Sequence, residues 1–215
     1  MSYFIYFRQI FTPKKILRYI FFVCIPALLF YSFSLLCLSS LGYGIIEILR
    51  DPAQQSGQSS FLGFLSSIGV WLWISSVAIC FFSALNYKSK ANDRHKELLF
   101  LVGILSMILA IDDFFMIHDR YVNEHFCFLA YAFFAGTILV RHYKKIIEID
   151  GFSFLLAGLL LALSILIDLI QGHIPLKYAY TQVIEEGFKF VGAATWLYFS
   201  YCIASISSFT FHRKQ

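Results

Sequence analysis

Apolar residues occur along this chain in six long runs, separated by short segments that hold most of the polar and charged residues. Each run is close to the ~20 residues that an α-helix needs to cross the hydrocarbon of a bilayer. Helices also satisfy their own backbone hydrogen bonds, as a chain in lipid must. The short alternating segments of a membrane β-barrel are not seen in the sequence. The pattern therefore predicts six transmembrane helices, at roughly residues 19–41, 61–85, 98–117, 122–140, 152–171 and 184–208.

Composition agrees with this pattern and excludes a soluble domain. Hydrophobic residues make up 59% of the 215 positions, charged residues only 14%, and the mean hydropathy is +0.72. A soluble fold of this length could not cover so much apolar surface. We therefore predict an all-α, polytopic membrane protein with a single membrane domain over residues 1–215. Residues 1–18 are aromatic and basic, which is typical of a segment at the membrane interface rather than of a signal peptide.

The basic residues predict the orientation of the chain. Segments 1–18, 86–97, 141–151 and 212–215 hold 13 of the 17 Lys and Arg residues, and these segments all fall on one side of a six-span topology. By the positive-inside rule both termini are cytoplasmic, and we place the chain in the bacterial inner membrane. The net charge of +4 then reflects topology. The expected partners are membrane lipids and a second copy of the chain or another membrane protein, and not nucleic acid.

The sequence "IDDFFMIHDR", residues 111–120, places an unusual amount of charge beside an apolar run. In the predicted topology it lies at the outer end of the third span, and the other unusual polar residues gather at the same level. A carboxylate that faces lipid at this depth costs at least a few kcal/mol, so such groups are expected to face the bundle interior and find partners. The predicted polar cluster comprises Asp112, Asp113, His118, Asp119, Arg120, Glu124, His125, Asp168, Gln171, His173, Glu185, Glu186 and Lys189.

Helical spacing suggests local partners for some of these groups. In a regular helix Asp113 and Arg120 share one face and could form an ion pair. Lys189 lies one turn after Glu185 and Glu186, so that one glutamate would neutralise it. His118 lies well away from Asp112 in a regular helix. It joins the same site only if it points toward another helix or if the helix unwinds there.

Carboxylates and histidines that converge from several helices fit a metal site. Imidazole and carboxylate ligands suit zinc, manganese or iron, with zinc the first candidate. A water activated by such an ion could hydrolyse a lipid or another membrane-embedded substrate. We predict metal ligands at His118, Asp168 and His173 and catalytic carboxylates at Asp112, Asp113 and Glu186. Four further residues of the cluster are candidate site residues with no assigned step: Asp119, Arg120, Glu185 and Lys189.

Two other functions fit the same residues. Intramembrane carboxylates and histidines also form proton or ion relays in transporters, although no inverted repeat is visible and the polar set lies toward one face. A non-catalytic subunit or assembly factor could use the cluster to hold its helices together. A bound divalent metal would favour the hydrolase, a cavity that reaches both sides of the membrane the transporter, and a closed ionic cluster without a cavity the structural role.

Two motifs resemble those of known proteins. "AIDDFFMIHD" and "EEGFKFVGAATWLYF" are similar to a group of small bacterial multi-pass membrane proteins with the patterns LDDxFxxHE and EEGxKxxG, to which no activity is assigned. The resemblance implicates Asp112, Asp113, His118, Glu185, Glu186 and Lys189, whereas Asp119 departs from the expected glutamate. A looser analogy is to alkaline ceramidases and adiponectin receptors, whose seven spans and C-terminal HxxxH are absent here.

Overall fold

The computed structural model describes Leu17, Phe21 and residues 25–49, 52–59, 61–87, 93–173, 175 and 178–212. Within these residues the chain is helical and contains no β-strand, which confirms the predicted all-α class. The interfacial segment predicted for residues 1–18 lies outside the described residues except for Leu17, as do the basic residues of the extreme C-terminus. The chain divides into two compact units, residues 1–62 and 63–215.

Between residues 25 and 59, the described part of the first unit contains one apolar helix and two short ones. They are α1 (Ile25–Ser40), α2 (Ile45–Leu49) and α3 (Pro52–Ser56). α1 corresponds to the described part of the predicted first span, and a glycine ends it. Gly42 has a φ of +95°, a conformation that costs glycine little because it has no Cβ. Backbone hydrogen bonds from Leu41 and Tyr43 back to the last turn close the helix end.

The described residues of the second unit form five α-helices and a short 3₁₀ helix. They are α4 (Phe64–Asn86), α5 (Asp93–Phe115), α6 (Ile117–Arg120), α7 (Glu124–Ile170), the 3₁₀ helix Gln171–His173, and α8 (Tyr178–His212). The 47 residues of α7 are not one straight helix, since the backbone leaves helical geometry at His142 and at Asp150. Segment 141–151, expected to be a loop, is thus a kinked helical connection between two helical halves.

The core of this unit lies where α4, α5, α7 and α8 meet. Its largest fully buried side chains include Trp73, Leu98, Ile138 and Phe199. Two glycines let helices approach closely. A Cβ on Gly103 would lie 2.7 Å from the Phe81 ring, and one on Gly192 would lie 3.0 Å from the Leu161 side chain. Small residues therefore set the distance between α4 and α5 and between α7 and α8, as in membrane helix pairs.

Among the residues that the structure describes, three stretches are long and apolar enough to cross a membrane: Phe64–Asn86, Arg94–Phe115 and Glu124–His173, with a shorter apolar helix at Leu28–Ser40. Their outward faces carry large exposed hydrophobic side chains, among them Phe82, Phe133 and Val140, each more than 70% exposed. Soluble proteins rarely expose apolar surface on this scale. The surface is compatible with a membrane protein whose outer side chains contact lipid.

Candidate functional site

The candidate site is built on an interruption of the helix that contains Asp112. α5 ends at Phe115, and Met116 adopts left-handed backbone angles, with φ 52° and ψ 47°. The chain then turns back, so that the His118 backbone N–H donates to Asp112 Oδ1 at 2.9 Å and His118 Nδ1 contacts Asp112 Oδ2 at 2.7 Å. Of the two ways in which His118 was expected to join Asp112, the structure shows the second, in which the helix unwinds between them.

The contacts with Asp112 determine which nitrogen of the His118 imidazole is available for chemistry. Asp112 is only 4% exposed, and both of its carboxylate oxygens accept hydrogen bonds from one residue. The carboxylate raises the pKa of His118 above its ordinary value, chiefly through the hydrogen bond to Nδ1. Because Nδ1–H donates to Asp112, the other ring nitrogen is the one available for chemistry. His118 Nε2 lies 3.4 Å from Asp119 Oδ1.

Asp113 has different partners from its neighbour. Trp73 Nε1 on α4 donates to Asp113 Oδ2 at 2.8 Å, and Lys189 Nζ on α8 lies 2.7 Å from Asp113 Oδ1. Asp113 therefore joins three helices. Asp113 pairs with Lys189 instead of Arg120, because Arg120 follows the break in α5 and is no longer its neighbour on the helix. Lys189 reaches across to α5 rather than to a glutamate on its own helix.

Three possible metal ligands meet at this point. One atom from each of Asp112, Asp113 and His118 lies within 4.8 Å of the other two, the spacing of groups that could hold a metal ion. Carboxylate oxygens and an imidazole nitrogen are suitable donors for zinc. The ammonium of Lys189, however, contacts one Asp113 oxygen. A cation would therefore have to use the remaining lone pairs or displace Lys189.

Asp168 and Glu185 form a second polar group beside the first. Gln171 Nε2 donates to Asp168 Oδ1 at 2.7 Å, and Gln182 Nε2 donates to Glu185 Oε2 at 2.7 Å. The two glutamines are themselves 3.3 Å apart, so a chain of amides joins the end of α7 to the start of α8. Asp168 and Glu185 line the same cavity as Asp112 and Asp113, which places them beside that cluster.

The other predicted site residues lie farther out. Asp119, Arg120, His173 and Glu186 are exposed. Glu186 lines a small cavity with Asp113 and Lys189, on the side that faces α4. The predicted ligand His173 is not among the residues that line the main cavity, so its role stays a prediction without geometric support.

The two polar groups line one end of an apolar cavity of about 210 Å³. Asp112, Asp113, His118, Asp168, Glu185 and Lys189 all line it. At ~1.5 Å per residue, the helix runs about 21 Å from Asp168 to Phe154, so the cavity extends far from these charges. Phe154 packs on Trp196 at this far end of the cavity. The apolar part of the wall includes Leu105, Leu109, Phe128, Phe154, Leu161 and Trp196.

Sequence reasoning missed two residues of this site. Trp73 lies in an unbroken apolar run, and nothing in its neighbourhood indicates that its indole N–H donates to a carboxylate on another helix. Gln182 precedes Glu185 by one helical turn, a spacing at which side chains can meet. That spacing is the one signal that could have identified it.

Comparison with known proteins identifies a family. A family model described as a domain of unknown function, DUF8692, matches residues 18–203. The chain belongs to this family. The matched residues include every member of the Asp112–Asp113–His118 cluster and all the residues that line the main cavity. No curated protein and no solved structure matches the chain.

Proposed function

We propose that the chain is a membrane-embedded hydrolase of an amphiphilic, lipid-like substrate, with a divalent cation held by Asp112, Asp113 and His118. The observation that carries the proposal is the position of this cluster at one end of a long apolar cavity. The cavity suits an acyl or other hydrocarbon chain, and the charged end suits the polar bond to be cleaved. Zinc is the first cation to test.

Each residue then has a role that its contacts support. Asp112 would offer the cation an oxygen lone pair, and it also holds His118 through Nδ1, as carboxylates do behind metal-ligating histidines. Nε2, which lies 3.4 Å from Asp119 Oδ1, is then the imidazole nitrogen that would bind the cation. Trp73 and Lys189 orient Asp113 from two other helices. Lys189 would also stabilise negative charge that develops on the substrate, because its ammonium lines the cavity.

Hydrolysis of an ester or amide needs a proton acceptor and a proton donor. A bound divalent ion supplies Lewis acidity and makes a water more acidic. Asp168 or Glu185, both of which line the cavity, would take the proton from the attacking water. The water oxygen bonds to the carbonyl carbon, the bond to the leaving group breaks, and the same carboxyl group returns the proton to the departing oxygen or nitrogen.

We place this site near the outer face of a six-span topology with cytoplasmic termini, in the bacterial inner membrane. Support comes from the breaks at His142 and Asp150, which divide α7 into two halves, each near the length of one crossing. The basic residues Arg141, Lys144 and Lys145 lie between the halves. α1 and α8 would supply the first and last spans.

Metal content tests the proposal directly. The full chain, purified in mild detergent without a histidine tag or chelator, is expected to hold roughly one zinc, manganese or iron per chain, since three ligands define one site. His118→Gln should lose the metal, and His125→Gln, which changes an exposed histidine outside the cluster, should keep it. Wild-type protein that is folded and free of metal would contradict the proposal.

Activity is tested on the same samples. Mixed micelles that contain fluorogenic esters or amides with long acyl chains should be hydrolysed by the wild type and by His125→Gln. We expect His118→Gln to lose this activity by 10-fold or more, in line with the loss of a metal ligand or its support. Equal turnover by His118→Gln would show that the activity arises elsewhere.

A proton-coupled transporter is the second candidate, favoured by one observation. The pairs Asp112–His118 and Asp113–Lys189 place four groups that can exchange protons beside a single cavity. Such arrangements are typical of proton relays in membranes. Proteoliposomes with a trapped pH-sensitive dye distinguish the two functions. Substrate-dependent proton movement without product formation would favour transport over hydrolysis.

A further inference from the structure

A second cavity lies at the opposite end of α5 from the candidate site. Arg94 and Asp112 stand at the two ends of that helix, about 27 Å apart at ~1.5 Å per residue. The cavity has a volume of about 200 Å³. The described residues that line it include no carboxylate; they are Arg94, Arg141, His142, Tyr143, Lys144 and Lys145.

His142 is the decisive residue of this cavity. It is only 3% exposed, and within the described part of the chain neither ring nitrogen has a hydrogen-bond partner. The nearest carboxylate oxygen, Glu97 Oε2, is 3.8 Å from His142 Nε2, beyond hydrogen-bonding distance. Buried polar side chains are nearly always paired in folded proteins. An unpaired imidazole that lines a cavity therefore points to a ligand with acceptor atoms.

The surrounding charges identify the kind of ligand. Glu97 pairs with Arg141, whose Nε lies 2.6 Å from Glu97 Oε1. Glu97 thereby neutralises one of the four Arg and Lys side chains that line the cavity. The ammonium of Lys144 stands over the ring of Tyr143, 5.9 Å from its centroid. The break in helical geometry at His142 brings consecutive residues of α7 to the same cavity. Within the part of the chain that the structure describes, the other three cations have no ion-pair partner, and together with the unpaired imidazole they are suited to a compact anion with several oxygens.

We propose that this cavity, defined by Arg94, Arg141, His142, Lys144 and Lys145, binds a phosphate group. Arginine and lysine supply the charge-assisted hydrogen bonds that phosphate oxygens accept, and the imidazole supplies a further donor. The phosphate is that of a lipid headgroup or of a free phosphate in solution. The inference uses none of the residues of the proposed hydrolase site and is independent of it.

The first experiment measures binding of radiolabelled inorganic phosphate by equilibrium dialysis, with the full chain in maltoside detergent. The second replaces the detergent by nanodiscs of phosphatidylcholine with or without phosphatidic acid, and detects bound phosphatidic acid by native mass spectrometry. Saturable binding of inorganic phosphate identifies a free phosphate as a ligand. Binding of phosphatidic acid alone identifies a lipid headgroup. Absence of binding in both experiments would overturn the proposal.

Three variants separate this site from general surface charge. Arg94→Gln and Lys144→Gln change exposed cavity residues and should weaken binding about tenfold or more, the usual effect of losing a charge-assisted hydrogen bond. Lys96→Gln removes a charge from the same helix outside the cavity and should leave binding unchanged. Equal weakening in all three variants would overturn the proposal.

The imidazole gives a readout that surface charge does not affect. The ring resonances of His142 are assigned in nitrogen-15 spectra of histidine-labelled protein by comparison with His142→Gln. They should shift when the ligand that binds, inorganic phosphate or phosphatidic acid, is added. The resonances of His125, an exposed histidine, should not shift. His142 ring resonances that do not shift at a saturating concentration of that ligand would overturn the assignment of the site.

Discussion

At the scale of single residues, two adjacent aspartates have opposite roles because a helix points them in different directions. Successive side chains are about 100° apart, so Asp112 and Asp113 reach different hydrogen-bond partners within the protein. Asp112 turns to the chain that follows it and binds His118, whereas Asp113 turns to α4 and α8. Their oxygens already have donors. Any cation at this site therefore competes with internal hydrogen bonds, and Lys189 is its main competitor.

Lys189→Met tests this competition. Without the ammonium, Asp113 keeps only the Trp73 donor in a partly buried position, and the folded state should lose about 3 kcal/mol, the lower end for a broken buried pair. Added zinc or manganese should raise the melting temperature more in the variant than in the wild type. Lys96→Met, at the other end of α5, serves as the control. If zinc stabilises both proteins equally, Lys189 does not compete with a cation.

The Asp112–His118 pair predicts a pH dependence of stability in metal-free protein. The folded-state pKa of His118 is raised by Asp112, so the pair's stabilisation is full below the ordinary histidine pKa of ~6.5 and is lost as the pH rises through the higher, folded-state pKa. The difference in melting temperature between wild type and Asp112→Asn, in EDTA, should therefore be largest near pH 6 and smaller toward pH 9. A difference that grows with pH would contradict the pairing.

At the scale of helices, the sequence predicts their existence better than their interruptions. Runs of apolar residues locate α4 and α5 within a few residues, because burial in protein or lipid decides them. The break at Met116 has no such signal, since methionine is not a residue that favours left-handed angles. The kinks of α7 occur at His142 and Asp150, where no proline marks them. The hydrogen bond from Trp73 to Asp113 depends on how two helices pack together, and the residues around Trp73 in the sequence do not indicate that packing.

The left-handed residue at the end of α5 can be tested by substitution. Met116→Gly should be neutral or stabilising by up to about 1 kcal/mol, because glycine removes the left-handed penalty, while the chain entropy that it adds to the unfolded state offsets part of this gain. Met116→Val should destabilise by about 1–2 kcal/mol, since a β-branched residue fits these angles poorly. Thermal unfolding in detergent measures both. Met107→Val, at an equally exposed methionine within α5, should have a smaller effect.

The contact between α7 and α8 depends on one of two glycines in α8. A Cβ at Gly192 would meet the Leu161 side chain at 3.0 Å and its backbone nitrogen at 3.3 Å, whereas a Cβ at Gly187 would have nothing within 4 Å. Gly192→Val should therefore destabilise the fold by about 1–3 kcal/mol through overpacking. Gly187→Ala should be neutral or stabilising because alanine favours the helix. Similar melting temperatures for the two variants would refute this packing.

At the scale of the whole molecule, the two ends of the second unit, residues 63–215, differ in charge. Acidic residues, histidine and Lys189 gather where α5 ends and α8 begins, and the basic cavity lies where α5 begins. The side chains between these ends are mainly apolar, outside as well as inside, with a few buried serines. This separation is the one that the positive-inside rule and the cost of charge in lipid would together produce. It therefore makes a definite prediction about which residues lie on each side of the membrane.

Cysteine labelling of a cysteine-free background tests that topology. Asn123→Cys and Gly172→Cys lie at the two outer ends of α7, and Lys144→Cys lies between its halves. Each half is close to the ~20 residues of one crossing, so the outer positions should face away from the cytoplasm and Lys144 toward it. A membrane-impermeant maleimide should label the first two variants in intact spheroplasts, and Lys144→Cys only after permeabilisation. Equal labelling of all three before permeabilisation would mean that α7 does not cross the membrane twice, and the candidate site would then lose its place at the outer face.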